Sequence, residues 1–192
     1  MSTDRSVSPP RAPEPSLRIE RLPYTDPVVQ QLVEEVQQEY VVRYGGPDGA
    51  PMEDTMFAPP TGAFFVAFLG DDPVGTGAWR TKEDVEALGG TRVAEIKRMY
   101  VRAAVRRTGV ARAVLAHLER TAAAAGADVL VLETGLQQPE ALRLYESSGY
   151  VPVPPFGFYK GYPNARHLGK RLRPLAEGDG TVTPEPGAAA QW

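Results

Sequence analysis

The sequence predicts an α/β fold, a mixed central sheet with helices on both faces, in the order β-α-α-β-β-β-α-β-α-β. Three observations carry this. The apolar pattern switches between a period of two and a period of about 3.6 residues along 16–172. The turn Gly70-Asp71-Asp72-Pro73 joins two apolar runs into an antiparallel hairpin. After it, strand, helix and strand alternate, which requires a mixed sheet.

Leu17 to Leu22 alternates as a short strand. Asp26-Pro27 starts a helix whose stripe is Val29, Leu32, Val33, Val36, Tyr40 and Val41, and Gly45-Gly46-Pro47 ends it. A short helix is expected before the buried strand Phe64–Leu69, whose hairpin partner is Val74–Thr81. Arg92–Val101 is the next strand. Gly109–Ala125 is a helix stopped by Gly126, with Val110, Ala111, Val114, Leu118 and Ala122 facing the sheet. Val129–Thr134 is a strand, Pro139–Ser148 a helix stopped by Gly149, and His167–Leu172 a last strand.

The 192 residues suit one domain, expected at 16–172. Residues 1–15 and 173–192, rich in Pro, Gly and polar groups, read as a disordered leader and tail. The formal charge of −3 gives no global pull toward nucleic acid or anionic lipid, so any anion site must be local. With no cysteine, disulfides, thiolate metal sites and Cys nucleophiles are excluded. No segment approaches the roughly 18–20 apolar residues of a membrane span, and the N-terminus has no signal-peptide core. A cytoplasmic location without a membrane partner is the expectation. His117 and His167 have no carboxylate at ligand spacing, so no metal is expected.

The informative segment precedes the second long helix. First-turn N–H groups have no partner within a helix, and the dipole puts about half a positive charge there. Arg102, Arg106, Arg107 and Arg112 crowd the same end, where an ordinary helix prefers acids. A bound anion resolves that conflict, and small residues at Gly109 and Ala111 let a diphosphate approach the backbone. A solvated basic loop is the plain alternative. A P-loop is ruled out because no Gly-Lys-Ser/Thr follows, and DNA binding fits poorly with the acidic total.

Three stretches in order resemble the GNAT superfamily of acyl-CoA-dependent N-acetyltransferases. They are Glu95-Ile-Lys-Arg-Met-Tyr-Val101, Arg106-x-x-Gly109-x-Ala111, and Gln138-x-x-Ala141-x-x-Leu144-Tyr145-Glu146-x-x-Gly149-Tyr150. The resemblance covers about 93–158, and the element order from 17 to 172 is GNAT-like. It implies acetyl-CoA as co-substrate and an amine acceptor, with a homodimer as one admissible assembly. It places Met99, Tyr100 and Val101 along the pantetheine arm. Arg106, Arg107, Thr108, Gly109, Val110, Ala111 and Arg112 fall around the pyrophosphate, and Gln138 falls in a slot that is often Asn. Arg107 stands where the family commonly has Gly, and Ala111 where it commonly has a second Gly.

Acyl transfer to an amine needs a neutral nucleophile, a stabilised oxyanion and a protonated leaving thiolate. Without Cys or a Gly-x-Ser-x-Gly elbow, direct attack in a ternary complex is expected. Glu95 is the candidate base, against a cross-strand ion pair with Arg80 or Lys82. A bulge near Lys97-Arg98 would shift the strand's phase; by resemblance, its amide polarises the thioester carbonyl. Tyr145 is the candidate acid by resemblance, against a packing role on its helix. Tyr44, Phe156 and Tyr159 are the candidate acceptor-binding residues, against a place in the core. The rival to an enzyme acting on a small amine is a non-catalytic acyl-CoA sensor. A transferase acting on a protein lysine or N-terminus is the other alternative.

Overall fold

The structure, a computed structural model, describes residues 16–172; the leader and tail expected at 1–15 and 173–192 lie outside the described residues. The strands are β1 (Leu17–Arg21), β2 (Gly62–Leu69), β3 (Asp72–Thr81), β4 (Val93–Val101), β5 (Val129–Gly135), β6 (Val151–Pro152) and β7 (Ala165–Arg171). The helices are α1 (Pro27–Tyr44), α2 (Val110–Ala124) and α3 (Pro139–Ser147), with 3-10 turns at Asp54–Phe57 and Ala103–Val105. The strands form one sheet in the order β1-β2-β3-β4-β5-β7-β6. Only β4 and β5 pair in parallel; every other neighbour is antiparallel. The expected mixed sheet and element order are therefore present. The two-residue β6 is additional, being too short to show a period.

Alternation within β2 and β3 decides which helix covers which face. Phe64, Val66, Phe68 and Ala78 point to α1, where they meet Val29, Leu32, Val33 and Phe57. Phe65, Ala67 and Trp79 point the other way, to Val110, Val114, Leu115, Leu118 and Ala122 of α2. The α2 stripe is as expected except that Leu115 is buried and Ala111 is only partly so.

Helix α1 departs from expectation at its C-terminal end. Its Asp26 cap accepts a 2.8 Å hydrogen bond from Val28 N–H, and Gly45 closes it at φ +80°. Burial stops at Val36: Val41 and Val42 are exposed, and Tyr40 lines a cleft. The last two turns overhang the sheet instead of covering it. A helix continues at low cost past its packing partner, and the amphipathic stripe records no such limit.

Leu118→Ala removes a fully buried side chain between α2 and the sheet. It should cost about 2–5 kcal/mol of unfolding free energy, while Val42→Ala should stay within about 0.5 kcal/mol. Urea unfolding of both variants checks this.

Candidate active site

Pairing of β4 with β5 runs from Val93↔Val129 to Ile96↔Leu132 and stops there. Beyond that point β4 stays on β3 as far as Val101, and β5 stays on β7 as far as Gly135. Each outer strand keeps its neighbour, so the sheet opens between them. The opening is a cleft of about 1530 Å³, lined by Lys97 to Val101 on one lip and Glu133 to Gly135 on the other. Helix α1, the start of α2, α3 and the Tyr159–Ala165 segment complete its walls. This exceeds the usual size of a small-ligand pocket and suits a long ligand together with a second reactant.

The bulge expected in β4 is present. Thr76 faces Tyr100 and Ala78 faces Lys97, so Gly77 alone opposes Arg98 and Met99. Arg98 takes φ +54°, a conformation that costs a non-glycine residue about 1–3 kcal/mol. Met99 drops to the α2 side: a Cβ on Gly77 would lie 3.0 Å from its sulfur and 2.7 Å from Val114. The next side chain, Tyr100, then turns to the α1 side, and its hydroxyl bonds Glu35 at 3.3 Å.

At the cleft's basic end, α2 begins at Gly109, φ +95°, with no side-chain cap and no acid in its first turn. Val110 is buried, whereas Thr108 and Gly109 are exposed. Of the four crowded arginines, two are answered by α1. Arg102 makes a forked pair with Glu35 at 2.5 and 2.9 Å, and Arg106 pairs with Glu39. Exposed Arg107 and Arg112 have no carboxylate partner among the described residues; Arg112 reaches only Ser147 Oγ, at 3.2 Å. The uncapped amides with these two cations fit a diphosphate-bearing co-substrate.

Tyr145, on α3, is buried, lines the cleft and meets Tyr150 edge-to-face at 5.5 Å. Burial raises its phenol well above the usual tyrosine range, so it carries its proton throughout the neutral range. Tyr40, across the cleft, is pushed up to about 12 by burial. Gln138 lines the cleft just before α3, and Thr134 Oγ1 donates to its side-chain oxygen at 3.3 Å. Tyr44 closes over Gly135, where a Cβ would lie 2.1 Å from its hydroxyl oxygen.

Four predicted site residues do not line the cleft: exposed Thr108 and buried Val110 at the start of α2, and Phe156 and Glu95. Phe156 is buried with Val93, Val129 and Val131, its ring 5.2 Å from that of His167, because Gly157 turns the chain inward there at φ +68°. Glu95 is fully enclosed. One of its oxygens takes Arg80 Nε at 2.9 Å and Nη2 at 2.8 Å, and the other lies 2.8 Å from Lys97 Nζ. Its observed partners are those of a cross-strand ion pair.

Of the carboxylates on the wall, Glu39, Asp48, Glu133, Glu140 and Glu146, the one on the β5 lip is Glu133, which the sequence reading passed over as a strand residue. Lys97 Nζ donates to it at 3.2 Å and Tyr159 N–H at 3.1 Å. Gly157 leaves it room, since a Cβ there would lie 3.0 Å away. His167 Nδ1 is 3.7 Å from it, and burial lowers that imidazole's pKa, which favours the neutral ring at pH 7. A charged residue ending an apolar strand, Val129–Leu132, was the available signal. Asp48 was also missed. Burial opposes its charge, but hydrogen bonds from the Tyr159 hydroxyl and Ala50 N–H and the Arg98 guanidinium hold its carboxyl below the usual range. Burial and then the hydrogen bond to Asp48 push Tyr159 up to about 12. Among the described residues no group of three or more His, Asp or Glu is placed to hold a metal, and no helix is long and apolar enough to cross a membrane.

A mixed sheet split between two parallel strands, with an uncapped basic helix start at one end of the opening, suits the acyl-group transferase that the sequence resembles. The comparisons agree: the chain belongs to the acetyltransferase (GNAT) family, whose model matches residues 29–150. It is 31% identical over 158 residues to an IAA acetyltransferase of Azospirillum brasilense, covering 82% of this chain and 99% of that one. It is 37% identical over 111 residues to the uncharacterized N-acetyltransferase YsnE of Bacillus subtilis, covering 57% of this chain and 69% of the relative. A crystal structure described as an acyl-CoA N-acyltransferase of Klebsiella pneumoniae superposes with a TM-score of 0.64 at 25% identity, over 82% of this chain and 98% of that one. The protein is thus an acyltransferase enzyme with an acyl-CoA as co-substrate.

Two variants check the anion site by calorimetry with CoA. Gly109→Asp puts a carboxylate at the α2 start and should weaken binding more than about tenfold. Glu39→Gln frees Arg106 and should tighten binding roughly two- to fivefold, the worth of one partly exposed ion pair.

Proposed function

We propose that the enzyme moves an acetyl group from acetyl-CoA to the primary amine of a small or amino-acid-like acceptor, by direct attack in a ternary complex. The observation that carries this reading is the continuity of the cleft. One opening joins the basic start of α2, the free lip of β4, Tyr145 and the Glu133 carboxylate. The diphosphate would sit at the first-turn amides of α2 with Arg107 and Arg112, and the pantetheine would run along Met99, Tyr100 and Val101. Gln138 would meet it from the opposite lip.

In the reaction the amine nitrogen forms a bond to the thioester carbonyl carbon, and the carbon–sulfur bond breaks. A backbone N–H of the β4 bulge receives the developing oxyanion. Glu133 takes the proton lost by the amine, directly or through a water. Lys97 stays neutralised while Glu133 is protonated, because Glu95 remains on its other side. We therefore assign Glu95 to anchoring Lys97 and Glu133 to the proton transfer. Tyr145 gives its proton to the departing thiolate and regains one from solvent. Its raised pKa keeps the phenol protonated and neutral at pH 7, at the cost of a weaker driving force for donation.

The acceptor end is walled by Tyr44, Tyr159 and Tyr162. Flat rings with polar edges favour an acceptor with an apolar or aromatic body. The test is an acetyl-CoA-dependent thiol-release screen over amines, amino acids, peptide N-termini and IAA, the compound named for the Azospirillum relative. Turnover with a small amine is expected. Tight acetyl-CoA binding without turnover on the whole panel would favour a sensor. With the acceptor found, Tyr145→Phe and Glu133→Gln should each lower kcat about 10²–10⁴-fold with CoA affinity kept. Glu95→Gln should act mainly on thermal stability, by unbalancing Arg80 and Lys97.

A further inference from the structure

The bulge in β4 is an unfavourable piece of backbone, and two side chains hold it from opposite sides. Thr76, on the neighbouring strand, is fully buried, and its hydroxyl donates to the main-chain oxygen of Arg98 at 2.7 Å. That oxygen belongs to the residue at φ +54°, where the regular ladder between β3 and β4 is interrupted. A hydroxyl therefore supplies a hydrogen bond where the register shift breaks the ladder.

The second hold is on the side chain. Arg98 is buried, and its guanidinium meets Asp48 at 2.6 Å. Asp48 is itself fixed: Tyr159 donates to it, Ala50 N–H donates to it at 2.9 Å, and its own N–H donates to Gln37 Oε1 at 2.8 Å. A positive φ at Arg98 aims this side chain out of the sheet's alternation and into the Asp48 loop. If either hold is released, the backbone can relax toward regular pairing, and the amides of the bulge turn with it.

We infer that Thr76 and Asp48 are positioning residues for acyl transfer, locking the Arg98–Met99 bulge so that its backbone donor is set before the thioester arrives. They touch neither reacting group in this scheme; they act through the backbone. The inference rests on the reading that a bulge amide receives the oxyanion. It adds that the amide's aim is set by a buried hydroxyl and a carboxylate that no motif marks. An error of about 1 Å in such a donor is enough for a hundredfold loss of rate.

The test compares Thr76→Val, Thr76→Ser and Asp48→Asn with wild type. The carbonyl stretching band of bound ¹³C-labelled acetyl-CoA reports how strongly the donor polarises the thioester. In wild type the band should lie below its solution frequency. In Thr76→Val it should return toward that frequency, kcat should fall roughly 10–100-fold, and CoA affinity and acceptor KM should stay within about threefold. Thr76→Ser keeps the hydroxyl and should restore both band and rate. Asp48→Asn should show the same band shift in milder form, and it carries the test alone if Thr76→Val does not fold. A folded Thr76→Val with wild-type band and rate overturns the inference, as does a Thr76→Ser that behaves like Val. The band is read without any acceptor. If no amine in the screen is acetylated, the acceptor assignment fails while the positioning of the donor is still decided.

Discussion

Everything functional in this protein depends on where the parallel pairing of β4 and β5 ends. Four residue pairs hold the two strands together, and after Ile96↔Leu132 each follows its other neighbour. An unsatisfied strand edge inside a sheet is normally costly, because its N–H and C=O groups have no partner. Here those groups face a cleft, where water or an extended ligand can satisfy them. The two-for-one bulge at Arg98–Met99 lies just past the split, so the irregular backbone sits at the place where the two lips part.

Charge is arranged around that opening with the same economy. Across β3, β4 and β5, Arg80, Lys97, Glu95 and Glu133 form a balanced set of two cations and two anions, with Lys97 shared between both carboxylates. Burying such groups is tolerable only because each has a partner. Toward α2 the balance is incomplete. Glu35 and Glu39 answer Arg102 and Arg106, whereas Arg107 and Arg112 face solvent beside uncapped helix amides. Cations left unanswered beside an uncapped helix N-terminus suit an anionic co-substrate, and acids on α1 answer the other two.

The elements with long periodic runs were legible from the residues: α1 from Pro27, the β2–β3 hairpin, α2 and β5 all lie close to their expected bounds. So were the uncapped basic start of α2 at Gly109 and the place of Tyr145 on α3, because helix starts and motif spacing are local properties. The carboxylate proposed as the base was not. Glu95 and Glu133 are both acids on apolar strands, and only the pairing of β4 with β3 and the turn at Gly157 separate an enclosed ion pair from a cleft wall. Phe156 was misplaced for the same reason, since Gly157 sends it under the sheet while Tyr159 returns to the cleft.

The sequence by itself determined the class of fold, the order of its elements and the presence of a basic helix start that asks for an anion. These follow from periodicity, capping and dipole, each of which acts over fewer than about a dozen residues. Tertiary structure alone decided that α1 overhangs the cleft, that two of four arginines are neutralised by it, and that Thr76 and Asp48 grip the bulge. Those contacts join residues 22 to 67 positions apart, and burial, register and charge partners at such distances are set only when the strands close into one sheet.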